Sequence, residues 1–203
     1  MAELTKSMKK MGITLALFGF VSASAISLAN WITKEKIDFN ENQFLLSKLN
    51  KILPKTSYDN NLTEDTKQVK ADLLLGTTDF STVYLAKKNN RIITVFLSPI
   101  AIDGYNGEIK LLVAVDYKLN VVGVRVVKHQ ETVGLADGIE DNKSDWILGF
   151  TNKSLSNTAK WLVKKDGGEF DQFTGATISP RAIVKAVKQT LMYVQQHQQE
   201  LFN

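Results

Sequence analysis

Asp171-Gln172-Phe173-Thr174-Gly175-Ala176-Thr177, followed by Ile178-Ser179-Pro180, reads as a tight loop feeding a helix. Gly175 lets the backbone turn without a Cβ penalty. Ser179 is a suitable N-cap, and Pro180 suits the first helical position, where no N–H is needed. The helix is predicted to run from about Arg181 to Gln196, because Ile183, Val184, Val187, Leu191 and Val194 recur at spacings of three and four. The hydroxyls of Thr174 and Thr177 then stand beside the positive end of a helix, where free N–H groups favour an anion. A capped surface helix with ordinary hydroxyls is the plain alternative.

Upstream of this stretch the chain alternates strands and loops. Glu41–Leu53 reads as an amphipathic helix, with Leu45, Leu46, Leu49, Ile52 and Leu53 on or near one face and Pro54 ending it. Thr82–Ala86 and Ile92–Leu97 are strand-like runs joined by Lys87-Lys88-Asn89-Asn90. Ile109–Asp116 and Val121–Val127 form a second pair, joined by Tyr117-Lys118-Leu119-Asn120 and rich in β-branched residues. Asp145–Phe150 is predicted as a short helix capped by Ser144, and Ala159–Val163 as a last strand. Segregated strands and helices imply an α+β class: an antiparallel sheet with flanking helices.

Met11 to Ile32 is a run of 22 residues without a charge, enough to span a hydrocarbon core of about 30 Å. Gly12, Gly19, Ser22, Ser24 and Ser27 dilute it, which suits packing against other membrane helices. Ala23-Ser24-Ala25 resembles a signal-peptide cleavage site, but the apolar run continues past it to Ile32, favouring a retained single transmembrane helix. Lys6, Lys9 and Lys10 precede the span, so the positive-inside rule puts the N-terminus in the cytoplasm and the main domain outside. The organisation expected is a cytoplasmic segment 1–10, a transmembrane helix 11–32, a linker helix 33–55 and a domain 56–203.

Composition excludes several functions. The 203 residues carry a net charge of only +4, spread without a basic block, which argues against nucleic acid as a partner. There are no cysteines, hence no disulfides and no Cys-ligated zinc or iron–sulfur cluster. His129 and His197 are far apart, and nothing has metal-ligand spacing. No Gly-x-Gly-x-x-Gly fingerprint follows a strand to hold a dinucleotide.

The heptad resembles the flavin-attachment motif Asp-x-x-(Ser/Thr)-Gly-Ala-Thr of FMN-binding domains in the Rnf and Nqr respiratory complexes, matching at Asp171, Thr174, Gly175, Ala176 and Thr177. Ile52-Leu53-Pro54 with Tyr58–Asn61, Asp103–Gly107, His129–Thr132 and Lys164–Gly168 extend the likeness to the RnfG (RsxG) family, the flavin-bearing member of the Rnf (Rsx) electron-transport complex, over nearly the whole chain. The resemblance implies FMN bound covalently through a phosphoester at Thr177, installed by a separate flavin transferase that takes FMN from FAD. It implies an FMN-binding domain on the periplasmic side of a bacterial inner membrane, where this flavoprotein relays electrons between other subunits of a complex that couples electron transfer to ion translocation. No stand-alone turnover with NADH is expected.

Other cofactor-binding positions implied are Gly104, Tyr105 and Gly107, with the glycines admitting the flavin and Tyr105 packing near its ring. A second loop offers Glu131, Thr132, Gly134 and Leu135. The family sequence there usually runs Glu-Thr-Pro-Gly-Leu-Gly, whereas this chain has Val133 for the proline and Ala136 for the second glycine, which puts the loop's rigidity in question. Lys165, beside Lys164, would help neutralise the phosphate; a solvated lysine pair is the plainer reading. Two other functions stay open: the counterpart that shares this motif in a sodium-translocating NADH:quinone reductase, and a non-redox docking protein of a membrane complex.

Overall fold

The computed structural model describes residues 2–203. The chain forms two compact units, residues 1–45 and 46–203. The first is the bulk of helix α1 (Ala2–Ile52), whose stretch through Ile13, Leu17, Phe20 and Trp31 presents its apolar side chains at the surface. It is long and apolar enough to cross a membrane. The separate linker helix read at Glu41–Leu53 is continuous with this helix, and its end, from Leu46, belongs to the second unit.

The second unit is built on a six-stranded antiparallel sheet: β1 (Thr66–Lys70), β2 (Phe80–Lys88), β3 (Arg91–Leu97), β4 (Ile100–Ala101), β5 (Ile109–Asp116) and β6 (Val121–Lys128). Pairing runs β1-β2-β3-β5, with β4 and β6 also on β5. The two hairpins match the expected runs closely. Asn89 and Asn90 both adopt positive φ, 52° and 60°, as a tight two-residue hairpin turn demands. At the other turn Asp116 accepts from Asn120 N at 2.8 Å.

Period-2 alternation divides the sheet into two buried faces. Val83, Val95, Val113, Val115, Val121 and Val124 belong to the main core with helix α2 (Ile178–Gln196), which contributes Ile183, Val184, Val187, Leu191 and Val194. The alternate positions Phe96 and Ala114 pair across the other face, with Gly123 opposite Ala114. Ile52 closes on Gly123 there, and Arg125 donates to Lys51 O at 2.9 Å, satisfying a carbonyl in the last turn of α1. Asp141 accepts from Lys51 at 2.8 Å and Lys48 at 3.3 Å. Asn60 joins the following segment to β2, donating to Leu85 O and accepting from Lys87 N, both at 2.8 Å.

The predicted strand Ala159–Val163 does not form. Val163 makes only an isolated bridge to Phe170, because Gly168 folds back against Leu162 O in a tight loop that leaves no partner strand. Trp161, Phe150 and Phe170 stack together beneath it, with Phe150 and Phe170 ring centroids 4.7 Å apart. The helix expected at Asp145–Phe150 is a 3-10 helix, Trp146–Phe150, and Ser144 Oγ does accept from Trp146 N at 3.2 Å. A short helix α3 (Gln198–Phe202) closes the chain.

Candidate functional site

The strand register places the Asn89-Asn90 and Tyr117–Asn120 turns at one end of the sheet. The segments leaving β4 and β6 emerge at the other end, where they meet the heptad. Within the heptad Ala176 N donates to Phe173 O at 3.1 Å, and Gly175 takes φ +81°, which a side chain would strain. Arg181 N donates to Thr177 O at 3.2 Å, so α2 starts at Ile178, three residues before the start expected from periodicity. Ser179 is therefore not the N-cap. Thr177 holds that position, with no side-chain capping bond of its own. Pro180 falls within the first turn, where a missing N–H leaves no bond unmade.

Tyr105, Thr132, Leu135, Ala136 and Gly175 to Ser179 line a cleft of about 120 Å³ over this helix start. The Asp103–Gly107 loop forms one wall, tied to α2 by an ion pair between Asp103 and Lys185. A Cβ on Gly104 would stand 2.1 Å from Gly107 O, so only glycine allows the loop to fold this tightly. Asn106 donates its backbone N–H to buried Glu131 Oε1 at 3.4 Å and its amide to Thr132 Oγ1 at 3.1 Å.

The second wall, residues 129–137, is internally bonded. Thr132 O accepts from Leu135 N and Ala136 N, at 3.2 and 3.0 Å. Gly134 N, at φ +78°, donates to Asp137 Oδ1 at 2.9 Å. These bonds order the loop with Val133 in the exposed position, and Ala136 lies buried in the cleft wall. His129 Nδ1 accepts from Glu131 N at 3.0 Å, which assigns the ring proton to Nε2, 3.1 Å from Glu140 Oε1.

The heptad is braced from outside the cleft. Trp146 Nε1 donates to Asp171 O at 2.7 Å, and its ring lies 5.5 Å from that of Phe173. Lys164 pairs with Asp171 at 2.7 Å, and Lys165 N donates to Gln172 Oε1 at 3.1 Å. Arg181 grips Asp166 in two bonds, 2.5 and 2.7 Å. Those bonds hold the Asp166 carboxyl below its usual range and push the Arg181 guanidinium up.

Of the residues singled out in the sequence, Tyr105, Thr132, Leu135, Gly175, Ala176 and Thr177 come together in the cleft. Gly104, Gly107, Glu131 and Gly134 belong to the two loops that form the walls but not to the lining itself. Asp171, Thr174 and Lys165 fall outside the lining, Asp171 turned to Lys164. Trp161 is core, and His197 stacks on Tyr193 at 4.2 Å. Sequence reasoning missed Ile178 and Ser179 as lining residues; Ser179 has the same hydroxyl chemistry as Thr177 two positions before it, a signal read instead as capping. A larger hollow of about 680 Å³ lies at the opposite end of the sheet, around Arg91, Tyr117 and Phe202, and holds none of these residues.

A cleft at a helix N-terminus, in an antiparallel-sheet domain that follows a helix long and apolar enough to cross a membrane, defines an α+β protein with a candidate anion or cofactor site. Residues 104–192 match the FMN-binding domain, and residues 1–52 match the RnfG N-terminal region. The RnfG protein of the ion-translocating oxidoreductase complex of Vibrio parahaemolyticus is 43% identical over 97% of this chain and 94% of its own length. That of Shewanella amazonensis is 45% identical over 98% and 94%, and that of Aliivibrio fischeri 43% identical over 96% and 94%. The chain belongs to the RnfG family of ion-translocating oxidoreductase complexes and carries an FMN-binding domain.

Proposed function

We propose that FMN is esterified to Thr177 and that the protein relays electrons between other subunits of an Rnf-type complex in the bacterial inner membrane. One observation carries this reading: Thr177 is half-buried in the cleft at the start of α2, and its hydroxyl is not used as a cap. In the attachment, a Thr177 Oγ–phosphorus bond forms as the pyrophosphate bond of FAD breaks. AMP leaves, and the hydroxyl proton is released. The reaction is assigned to a flavin transferase, because the residues lining the cleft include no acid, base or cation to promote it.

The residues present fit the phosphate end of FMN. Free N–H groups of the first turn of α2 favour a phosphoryl oxygen, Gly175 and Ala176 leave space beside the attachment atom, and Ser179 Oγ is buried without a partner among the described residues. The cleft is smaller than the roughly 300–1,000 Å³ typical of sites that enclose small molecules, so most of the cofactor would extend beyond it. Bound FMN supplies one- and two-electron redox chemistry. Thr177 fixes its position, the two braced loops set the surface beside it, and the N-terminal helix keeps the domain at the membrane. We place the domain on the periplasmic side, following the lysines that precede the apolar run. Covalent attachment suits that location, since a carrier outside the cytoplasm cannot replace lost FMN.

In-gel flavin fluorescence after SDS denaturation tests the reading, with the protein co-expressed with a flavin transferase. A fluorescent wild-type band that vanishes in Thr177→Ala supports it. A dark wild-type band beside an active transferase overturns it, and a fluorescent Thr177→Ala band moves the attachment elsewhere, with Thr174 next to be tested.

A further inference from the structure

We infer that Ser179 is a phosphate-positioning residue, its hydroxyl donating a hydrogen bond to the phosphoryl group carried by Thr177. The inference rests on the proposed attachment at Thr177. Ser179 is 1% exposed and lines the cleft two residues beyond Thr177. Its Oγ has no hydrogen-bond partner among the described residues. Buried hydroxyls are normally bonded, and one left without a partner in a cleft wall points to a ligand that supplies the acceptor.

Two features of the surroundings make a phosphoryl oxygen the matching acceptor. The lining residues include no Lys, Arg or His, so a negative group must be held by neutral donors. Those donors are the first-turn N–H groups of α2, and Pro180 removes one of them. The Ser179 hydroxyl replaces the missing donor at the same helix end. Two nearby lysines are engaged elsewhere, Lys164 with Asp171 and Lys185 with Asp103, and Lys165 falls outside the lining. A neutral cradle of backbone N–H groups and one hydroxyl selects a phosphodiester-like oxygen at a fixed position.

The test uses the full-length protein, with Ser179→Ala and Ser179→Thr variants prepared with and without flavin transferase. Without the transferase, Ser179→Ala should melt at the wild-type temperature or above it, since a hydroxyl with no partner is removed. With the transferase, its initial loading rate should fall roughly tenfold, the worth of one hydrogen bond to a charged group. The phosphorus-31 resonance of the loaded variant should move from the wild-type position, and Ser179→Thr should restore both rate and resonance.

Loading of Ser179→Ala at the wild-type rate with an unmoved resonance overturns the inference. So does a large fall in melting temperature of the unloaded variant, which would make Ser179 a packing residue. Ser179→Thr that melts normally yet behaves as Ser179→Ala also overturns it. Peptide mass spectrometry of the wild type separates the two levels: absence of FMN on Thr177 removes the proposed attachment itself, whereas FMN on Thr177 with a normal Ser179→Ala removes only the role of Ser179.

Discussion

Gly138 and Phe173 meet so closely that a Cβ on Gly138 would stand 2.8 Å from the Phe173 ring. This contact joins the 129–144 segment to the heptad that carries Thr177. Gly138→Ala must therefore displace Phe173, at a cost of about 1–3 kcal/mol from overpacking. A lower urea midpoint and slower flavin loading are expected, and Phe173→Leu in the same chain should recover part of both.

Trp146 braces the heptad from the other side through its bond to Asp171 O. Trp146→Phe keeps the ring contact with Phe173 but loses the donor. Stability should fall by about 1 kcal/mol, read by thermal melting, and hydrogen exchange in residues 171–177 should quicken. Unchanged exchange there would show that the brace does not hold the heptad.

Asp141 gathers Lys48, Lys51 and Arg125 at the end of α1. Burial opposes its charge, but hydrogen bonds from Lys51 and Lys48 outweigh this and hold the carboxyl below its usual range. A depressed folded pKa gives stability that is complete above the unfolded value of about 4 and is lost as pH falls through the folded one. Asp141→Asn should lose about 1–3 kcal/mol near neutral pH, with the gap to wild type closing as the solution is acidified below that range. Urea titrations across acid pH measure the gap; a constant difference would rule out the ionised carboxylate as its source.

Gly123 provides the floor on which Ile52 rests, an added Cβ lying 2.9 Å from Ile52 Cγ2. Gly123→Ala should cost about 1–3 kcal/mol by overpacking, and Ile52→Ala about 2–5 kcal/mol by opening a void. In the double variant the new methyl enters the vacated space, so the combined loss should be smaller than the sum. A double-mutant cycle in urea decides this, and strict additivity would mean the two positions do not press on each other.

The hairpins are legible in the sequence because local rules and tertiary packing agree there: β-branched alternation on the strands, Asn89-Asn90 at the tight turn. The start of α2 misleads because Ser179-Pro180 imitates a cap followed by a first helical residue. The turn at Gly175 allows Thr177 to accept from Arg181 one turn earlier, a bond that no local pattern reports. Ala159–Val163 has strand composition, but the partner it needs is missing once Gly168 folds against Leu162. At the site, the heptad points to Thr177, and the two loops beside it are recognisable from their glycines and polar residues. The orientation of Asp171 toward Lys164 and the burial of Ser179 depend on packing between distant segments, which spacing along the chain does not encode.

A cleft of about 120 Å³ changes what governs the residence of a cofactor. A non-covalent ligand in so small a site leaves at its dissociation rate, and washing the membrane empties it. FMN esterified to Thr177, as proposed, would leave only when a phosphorus–oxygen bond is hydrolysed. Occupancy would then be independent of free flavin concentration, and the age of each loaded molecule would record the time since its attachment. Such an open site would not need to grip its cofactor, leaving the surface around it free to be shaped for approach by redox partners.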